Sequence, residues 1–447
     1  MTEPIPILII GDGYAGAVLT LHLLERGIDT SRMAILGPDR LGAGKAYGCR
    51  NPDFRLNVRD DLMMLRPGDS QHFATWAEHN LKDPDAETSA GRFFRRQDFA
   101  RYLEQEIHDA LGGRELLQIR DRAHDLKPIT GKKETCWHIT TTERRNLAAE
   151  TVVLALGNPD PSPTFPLSDG ARKHLIPNAW TGTWVEQVDK DADMTVIGGG
   201  LTAMDAILTL EQRGHRGQIN IISPIGMLPP RQTAWIRKAP YPWPRHLSGR
   251  EFLAIFRRQL GDGDWKDPDW QARFESLRPG ISFAWQNLPE TDRQRLKQEM
   301  GWWWQLIRYR ASPQTVAAAA RLEASGQLKL YHGRCEAART GENDKARITI
   351  SLADETTHEV DTDHLLLATG AGKDPLAASM FQNGLLAGSP AGLKVDHGLN
   401  VLGADGLPLG RCHAIGPPTA FALGDVIGAS SIGRQAFDLA RHLAGDR

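Results

Sequence analysis

A chain of 447 residues exceeds one ordinary hydrophobic core, so two or three domains are expected. Its 53 basic and 55 acidic residues leave a formal net charge of -2, which excludes a global field that recruits nucleic acid or an anionic membrane. No uncharged apolar stretch approaches the roughly 18–20 residues that span a bilayer, and Glu3 ahead of a short apolar run lacks the pattern of a secretory signal; a soluble, cytoplasmic protein is expected.

The first elements read strand, turn, helix, strand: Pro6 to Ile10, then Gly11-Asp12-Gly13-Tyr14-Ala15-Gly16, then Ala17 to Glu25 at helical spacing, then Met33 to Leu36. A continuous apolar run opening into a helix is the pattern of a buried parallel strand. In this GxGxxG context Gly11 permits the tight turn, Gly13 lets backbone N–H groups approach a pyrophosphate, and Gly16 allows close packing of helix on strand. Phosphates then rest at the positive end of the helix, by Tyr14 and Ala15. Gly37 stands where an acid would bind the ribose hydroxyls, and Asp39 follows two residues late. Either Asp39 reaches back or backbone alone holds the ribose.

A polar stretch from Lys82 to Gly91 reads as an exposed excursion, and Asn158 to Gly170 as a linker. The pattern then restarts, with strand Met194 to Ile197, turn Gly198-Gly199-Gly200, helix Leu201 to Arg213 and strand Ile219 to Ile222. Gly198, Gly200 and Ala203 form a second fingerprint, so Gly198, Gly200, Leu201 and Thr202 are second-dinucleotide candidates. Two such units in one chain suggest a flavin and a nicotinamide. Ser223 ends the following strand with no arginine beside it to pair with a 2′-phosphate, while Arg231 and Lys238 lie farther along, so NADH and NADPH both stay open. From Met227 to Arg310 the chain is irregular and tryptophan-rich, with Trp235, Trp243, Trp265, Trp270, Trp285 and Trp302 to Trp304. This insert reads either as a dry cover for a reaction site or as the packed core of a small helical subdomain.

The expected class is therefore α/β, with two Rossmann-like dinucleotide-binding domains and a Trp-rich, mainly helical insert. Residues 1–165 are assigned to the first part of the FAD-binding domain, 190–360 to the NAD(P)-binding domain with its insert at about 228–312, and 361–447 to a return to the FAD-binding domain. Cys49, Cys136, Cys335 and Cys412 stand far apart, so the paired thiols of a disulfide reductase are absent and no metal knuckle is formed.

Further segments, in order, carry a resemblance. They are Gly42-Ala43-Gly44-Lys45-Ala46-Tyr47-Gly48, Leu56-Asn57-Val58 with Met63, Asp69 to Phe73 with Trp76, Phe93 to Arg96 leading to Tyr102-Leu103, Gly214 to Gly217, and Gly226 to Pro229. Together with the two fingerprints they resemble the two-dinucleotide FAD/NAD(P)-binding flavoproteins related to N-hydroxylating flavin monooxygenases acting on lysine and ornithine. The resemblance implies FAD along the first unit with its ring near Leu56 to Met64, where Asn57 can hydrogen-bond a flavin edge beside Val58 and Met63, and it brings Lys45 and Tyr47 to the cofactor. Arg96 could pair with the flavin diphosphate, shield a substrate or form a surface salt bridge. Ala155-Leu156-Gly157 and Ala368-Thr369-Gly370 resemble the returns into the FAD sheet. Gly424-Asp425 resembles a flavin-contacting pair, with Gly416-Pro417 competing for that role.

The implied activity is that of an FAD-dependent, NAD(P)H-consuming oxidoreductase, foremost a single-component monooxygenase oxidising the nitrogen of an amine, amino acid or hydroxylamine. The rivals are a flavin oxidase or NAD(P)H reductase and a non-enzymatic flavin-binding regulator. Small-molecule substrate and O₂ are the expected partners, with homodimerisation open. Arg231, Lys238, Arg308 and Arg310 are candidate carboxylate clamps, His72 and His215 read as structural, and no catalytic residue is assigned.

Overall fold

The computed structural model describes residues 3–42, 44–49, 51–130, 135–387 and 392–445. Strand β1 (Ile5–Ile10) leads through helix α1 (Tyr14–Glu25) into β2 (Met33–Leu36), and helix α2 (Arg96–Leu111) precedes β3 (Leu117–Ile119). A hairpin of β4 (Ala123–Thr130) and β5 (Thr135–Thr141) feeds β6 (Asn146–Leu154). β1 pairs in parallel with β2 and with β6, so that Ile9 lies between Ile35 and Val153. Ile7 to Ile10 and Val152 to Leu154 are buried, which is why both read as unbroken apolar runs: helices cover each face of a parallel sheet.

The second sheet repeats the plan with β7 (Met194–Ile197), α3 (Leu201–Gln212) and β8 (Ile219–Ser223). Four helices follow: α4 (Gly249–Leu260), α5 (Pro268–Leu277), α6 (Ile281–Gln286) and α7 (Glu290–Arg308). They hold most of the tryptophans of the insert around a separate core, in which Trp243 stacks on Phe252 at 5.2 Å and Trp270 on Phe274 at 5.8 Å between ring centroids. A capping box, Ser248 with Glu251, starts the first of these helices. Helix α8 (Pro313–Ala324) returns the chain to the second sheet through β9 (Leu328–Thr340), β10 (Ala346–Leu352), β11 (Thr357–Thr362) and β12 (His364–Leu367).

One expectation is corrected here. The strand at His364, read as the return to the first domain, pairs in parallel with β7, Leu366 opposite Val196, and belongs to the second sheet. Its buried Leu365-Leu366-Leu367 run stands to β7 as Val152 to Leu154 stands to β1. The chain rejoins the first sheet only with β13 (Asn400–Leu402) and β14 (Pro408–Ala414), the latter parallel to β6, before the closing helix α9 (Ala429–Ala444). Among the described residues no helix is long and apolar enough to cross a membrane.

His413 on β14 is buried, its Nδ1 has no partner, and its ring lies 5.7 Å from that of His442. Burial first, then the neighbouring His442, pushes its pKa down to about 4. An unfolded histidine titrates near 6.5, so the unfolded chain takes up this proton first. The stability is therefore complete above about pH 6.5 and is lost as the pH falls through about 4. Urea titrations at pH 7.5 and 4.5 should show a loss for the native chain that shrinks by about 2–3 kcal/mol in His413→Gln; an equal loss in both proteins would refute this account.

Candidate dinucleotide and substrate site

The two fingerprint turns have the same geometry. Gly11 adopts φ 122°, donates its N–H to the Leu36 carbonyl at 2.9 Å, and would place a Cβ 2.2 Å from the Ala155 carbonyl oxygen. Gly198 adopts φ 107°, donates to the Ile222 carbonyl at 2.8 Å, and would place a Cβ 2.3 Å from the Ala368 oxygen. No side chain fits at either position. A Cβ at Gly16 would lie 2.1 Å from the Gly11 oxygen, whereas Ala203, the corresponding residue of the second turn, is accommodated and fully buried. Ala155-Leu156-Gly157 and Ala368-Thr369-Gly370 thus serve different turns, which corrects the reading of both as returns to the first sheet.

Gly13 and Gly200 cap α1 and α3 without any side-chain hydrogen bond, and neither first turn contains an acid. Helices α4, α5 and α8 are instead capped by Ser248, Asp267 and Ser312. The leading amides of Tyr14, Ala15 and Gly16, and of Leu201 and Thr202, are therefore left for an anion, which fits a dinucleotide pyrophosphate at each turn. The Tyr14 side chain has another role: its hydroxyl donates to the Ala429 carbonyl at 2.9 Å and ties α1 to the start of α9.

At the strand ends the two units differ. A Cβ at Gly37 would lie 2.4 Å from Asp12 Oδ2, so the Asp12 carboxylate fills the space beside the end of β2. The Asp39 N–H donates to the same oxygen at 2.5 Å, while the rest of Asp39 is exposed. In the second unit the roles reverse, and a Cβ at Gly199 would lie 2.8 Å from Ser223 Oγ. Asp12 was absent from the sequence candidates; the available signal was an acid inside GxG paired with a glycine at the strand end. Ser223 is buried and accepts the Ile225 N–H at 3.3 Å.

The glycine-rich segment after β2 packs on the first turn. Gly42 donates to the Asp12 carbonyl at 2.9 Å, and a Cβ at Gly44 would lie 2.7 Å from Gly13 Cα. Ala43 lies outside the described residues. Lys45 pairs with Asp160 at 2.7 Å on the surface, and half-buried Tyr47 meets Tyr14 and Phe99 edge-on. The Asn57 Oδ1 is buried without a partner, and its backbone carbonyl accepts from Gln232 at 3.1 Å.

A cavity of about 740 Å³ lies where the first unit meets the insert. Val58, Met63 and Met64 form its apolar side; Trp235, Arg237 and Lys238 come from the insert, and Ser430 and Arg434 from the start of α9. Arg59 holds the Trp235 segment of the insert, donating to the Trp235 carbonyl at 3.1 Å with its guanidinium 4.3 Å from the indole centroid. Asp425 is a cavity residue, but both its oxygens are engaged, by Arg278 at 2.8 Å and Arg308 at 2.7 Å. Burial alone would raise its pKa; the two arginines outweigh that and hold it at about 2. A Cβ at Gly424 would meet the Trp285 ring, whereas Gly416 sits beside the Ala15 methyl. Asp425 therefore anchors the insert, and of the two competing pairs Gly416 lies nearer the fingerprint. Among the proposed clamps Lys238 and Arg308 reach the cavity wall, while Arg310 is paired with Glu275.

Residues 8–159 match the family model described as FAD-NAD(P)-binding. No curated protein sequence matches the chain. Among solved structures, the ornithine N-hydroxylase KtzI of Kutzneria sp. 744, with reduced FAD, NADP+ and L-ornithine, is 15% identical over 99% of each chain with a TM-score of 0.65. The FAD-bound cadaverine monooxygenase DfoA of Erwinia amylovora is 15% identical over 99% of this chain and 95% of its own, at 0.65. A thioredoxin reductase of T. acidophilum is 12% identical over 98% and 97%, at 0.51. The likeness is one of fold, and it extends well beyond residues 8–159 across the whole chain, the insert included.

Arg96, considered above for the flavin diphosphate, is committed elsewhere. It pairs with Asp205 on α3 at 2.7 Å, donates to the Arg55 carbonyl at 3.0 Å and lies over the Trp180 ring. Both partners are buried, and burial pushes the Asp205 carboxyl up to about 6 against the pull of Arg96. Removing one partner strands a buried charge, so Arg96→Ala should lose about 3–5 kcal/mol in urea unfolding. Arg96→Met with Asp205→Leu should regain most of that loss; a fully tolerated Arg96→Ala would contradict this reading.

Proposed function

We propose that the protein is an FAD-dependent, NAD(P)H-consuming monooxygenase that oxidises the nitrogen of a small amine or amino acid. The observation that carries this reading is the cavity, in which the apolar Val58, Met63 and Met64 of the first unit face cationic residues of the insert. In this reading the first unit, residues 1–165 with the chain beyond Gly370, holds FAD with its pyrophosphate on the Tyr14, Ala15 and Gly16 amides. The second unit holds the nicotinamide dinucleotide at Gly200, Leu201 and Thr202, with Ser223 beside its ribose. Asn57, Val58 and Met63 border the flavin ring, and the unpartnered Asn57 Oδ1 is suited to a ring N–H. A flavin held there would supply hydride acceptance from the nicotinamide and activation of O₂.

The chain's own residues position the substrate and limit water. Trp235, held by Arg59, lines the same cavity as Met63 and Met64 and adds to its apolar wall, which favours a dry reaction site. Arg237 and Lys238 offer positive charge to a substrate carboxylate, with Lys238 also 2.7 Å from Asp269. The named substrates of KtzI and DfoA, an amino acid and a diamine, support a nitrogen nucleophile. Disulfide reduction, the chemistry in the name of the thioredoxin reductase, is disfavoured because the four cysteines are free and none forms a pair.

Purified protein loaded with FAD should oxidise NADPH or NADH faster when basic amino acids, diamines or hydroxylamine are added, with N-oxygenated product seen by mass spectrometry. Arg237→Ala with Lys238→Ala should raise KM for amino acids about tenfold and leave that for diamines little changed. Peroxide release that no nitrogen compound alters would favour the oxidase instead.

A further inference from the structure

We propose that Asp12, inside the first glycine turn, replaces the missing strand-end acid and holds the adenosine ribose hydroxyls of FAD; this rests on the flavin reading above. In a dinucleotide-binding unit the ribose meets an acid at the end of the second strand. The residue here is Gly37, and the space its side chain would need is taken by Asp12: an added Cβ would lie 2.4 Å from Oδ2, 2.5 Å from Cγ and 2.6 Å from Cβ. The two positions can supply one carboxylate between them.

Three features aim this carboxylate at a ligand. The Asp39 N–H fixes Oδ2 at 2.5 Å against the strand end, and the backbone N–H of Asp12 itself is a second donor to the carboxylate. Asp12 is only 8% exposed and its carboxylate is served by backbone amides alone, with no side-chain donor, so it keeps acceptor capacity for which ribose hydroxyls are donors of the right kind. Asp12 does not cap α1, whose N-cap is Gly13 without a side-chain bond. The second unit, with Gly199 in the turn and neutral Ser223 at the strand end, builds the same turn without an acid, so the turn itself does not require Asp12. Asp39 enters through its amide, which positions Asp12, and its exposed carboxylate is not needed.

The test is FAD binding to the apoprotein by flavin fluorescence, with FAD and its 2′,3′-dideoxyadenosine analogue. The native chain should bind the analogue about 10- to 100-fold more weakly than FAD, the loss expected for hydrogen bonds to a charged group. Asp12→Gly should bind FAD weaker by a similar factor and no longer distinguish the two ligands, with NADPH affinity unchanged. The exchange Asp12→Gly with Gly37→Asp should recover most of the affinity and the discrimination. Equal binding of the two ligands by the native chain would overturn the proposal without any substitution, as would discrimination that persists in Asp12→Gly. A native chain that binds neither FAD nor its analogue would instead overturn the flavin reading itself.

Discussion

Two carbonyl oxygens set the geometry on which both nucleotide turns depend. Ala155 and Ala368 each end a strand flanking the first strand of their unit, and each carbonyl occupies the place where a side chain on Gly11 or Gly198 would begin. The turn can then leave the strand at positive φ and bring the next helix start close to the sheet. Three chain segments therefore converge at each turn, two of them distant in sequence. This explains why the strand His364–Leu367 must stay with the second sheet: without it Gly198 would lose the wall that shapes its turn.

The units are joined by charge as well as by packing. Arg96 crosses from the start of α2 to Asp205 on α3, and Asp425 receives Arg278 and Arg308 from the insert. Buried pairs of this kind are weak contributors to net stability but costly to break, so their main effect is to define how surfaces meet. Asp425, Arg278 and Arg308 themselves line the cavity, together with Met63 and Met64 of the first unit and Trp235, Arg237 and Lys238 of the insert. Arg96 and Asp425, which read as ligand contacts in sequence, both act as anchors in the fold, and Asp425 does so within the cavity wall.

Local patterns were legible where one segment decides its own structure. The two βαβ openings and the helix start at Leu201 follow from apolar periodicity and glycine spacing, whereas the first helix, read from Ala17, begins at Tyr14 and the irregular, tryptophan-rich insert shows its packed core only in the fold. The partnership of His364–Leu367 with β7 was not, since HLLLATG is as apolar and as glycine-terminated as the segment ending β6 and nothing local tells the two sheets apart. Side-chain direction was equally hidden. Lys45 lies in a glycine-rich segment suited to phosphate yet turns to Asp160, and Gly37 looked like a loss when its neighbour in space had already filled the position.

The exchange at the strand ends also separates the two units electrostatically. The first presents a carboxylate within its turn and a bare glycine beyond it; the second presents glycine in the turn and a hydroxyl at the strand. A carboxylate so close to the sheet favours unmodified ribose hydroxyls and repels a 2′-phosphate, whereas a serine hydroxyl carries no such penalty. Two turns with nearly identical backbones can therefore discriminate between dinucleotides through one side chain each. Because the Cβ of one position and the carboxylate of the other compete for the same few ångströms, an acid can be moved between loop and strand but not added to both, and the chain that carries Asp12 must keep Gly37.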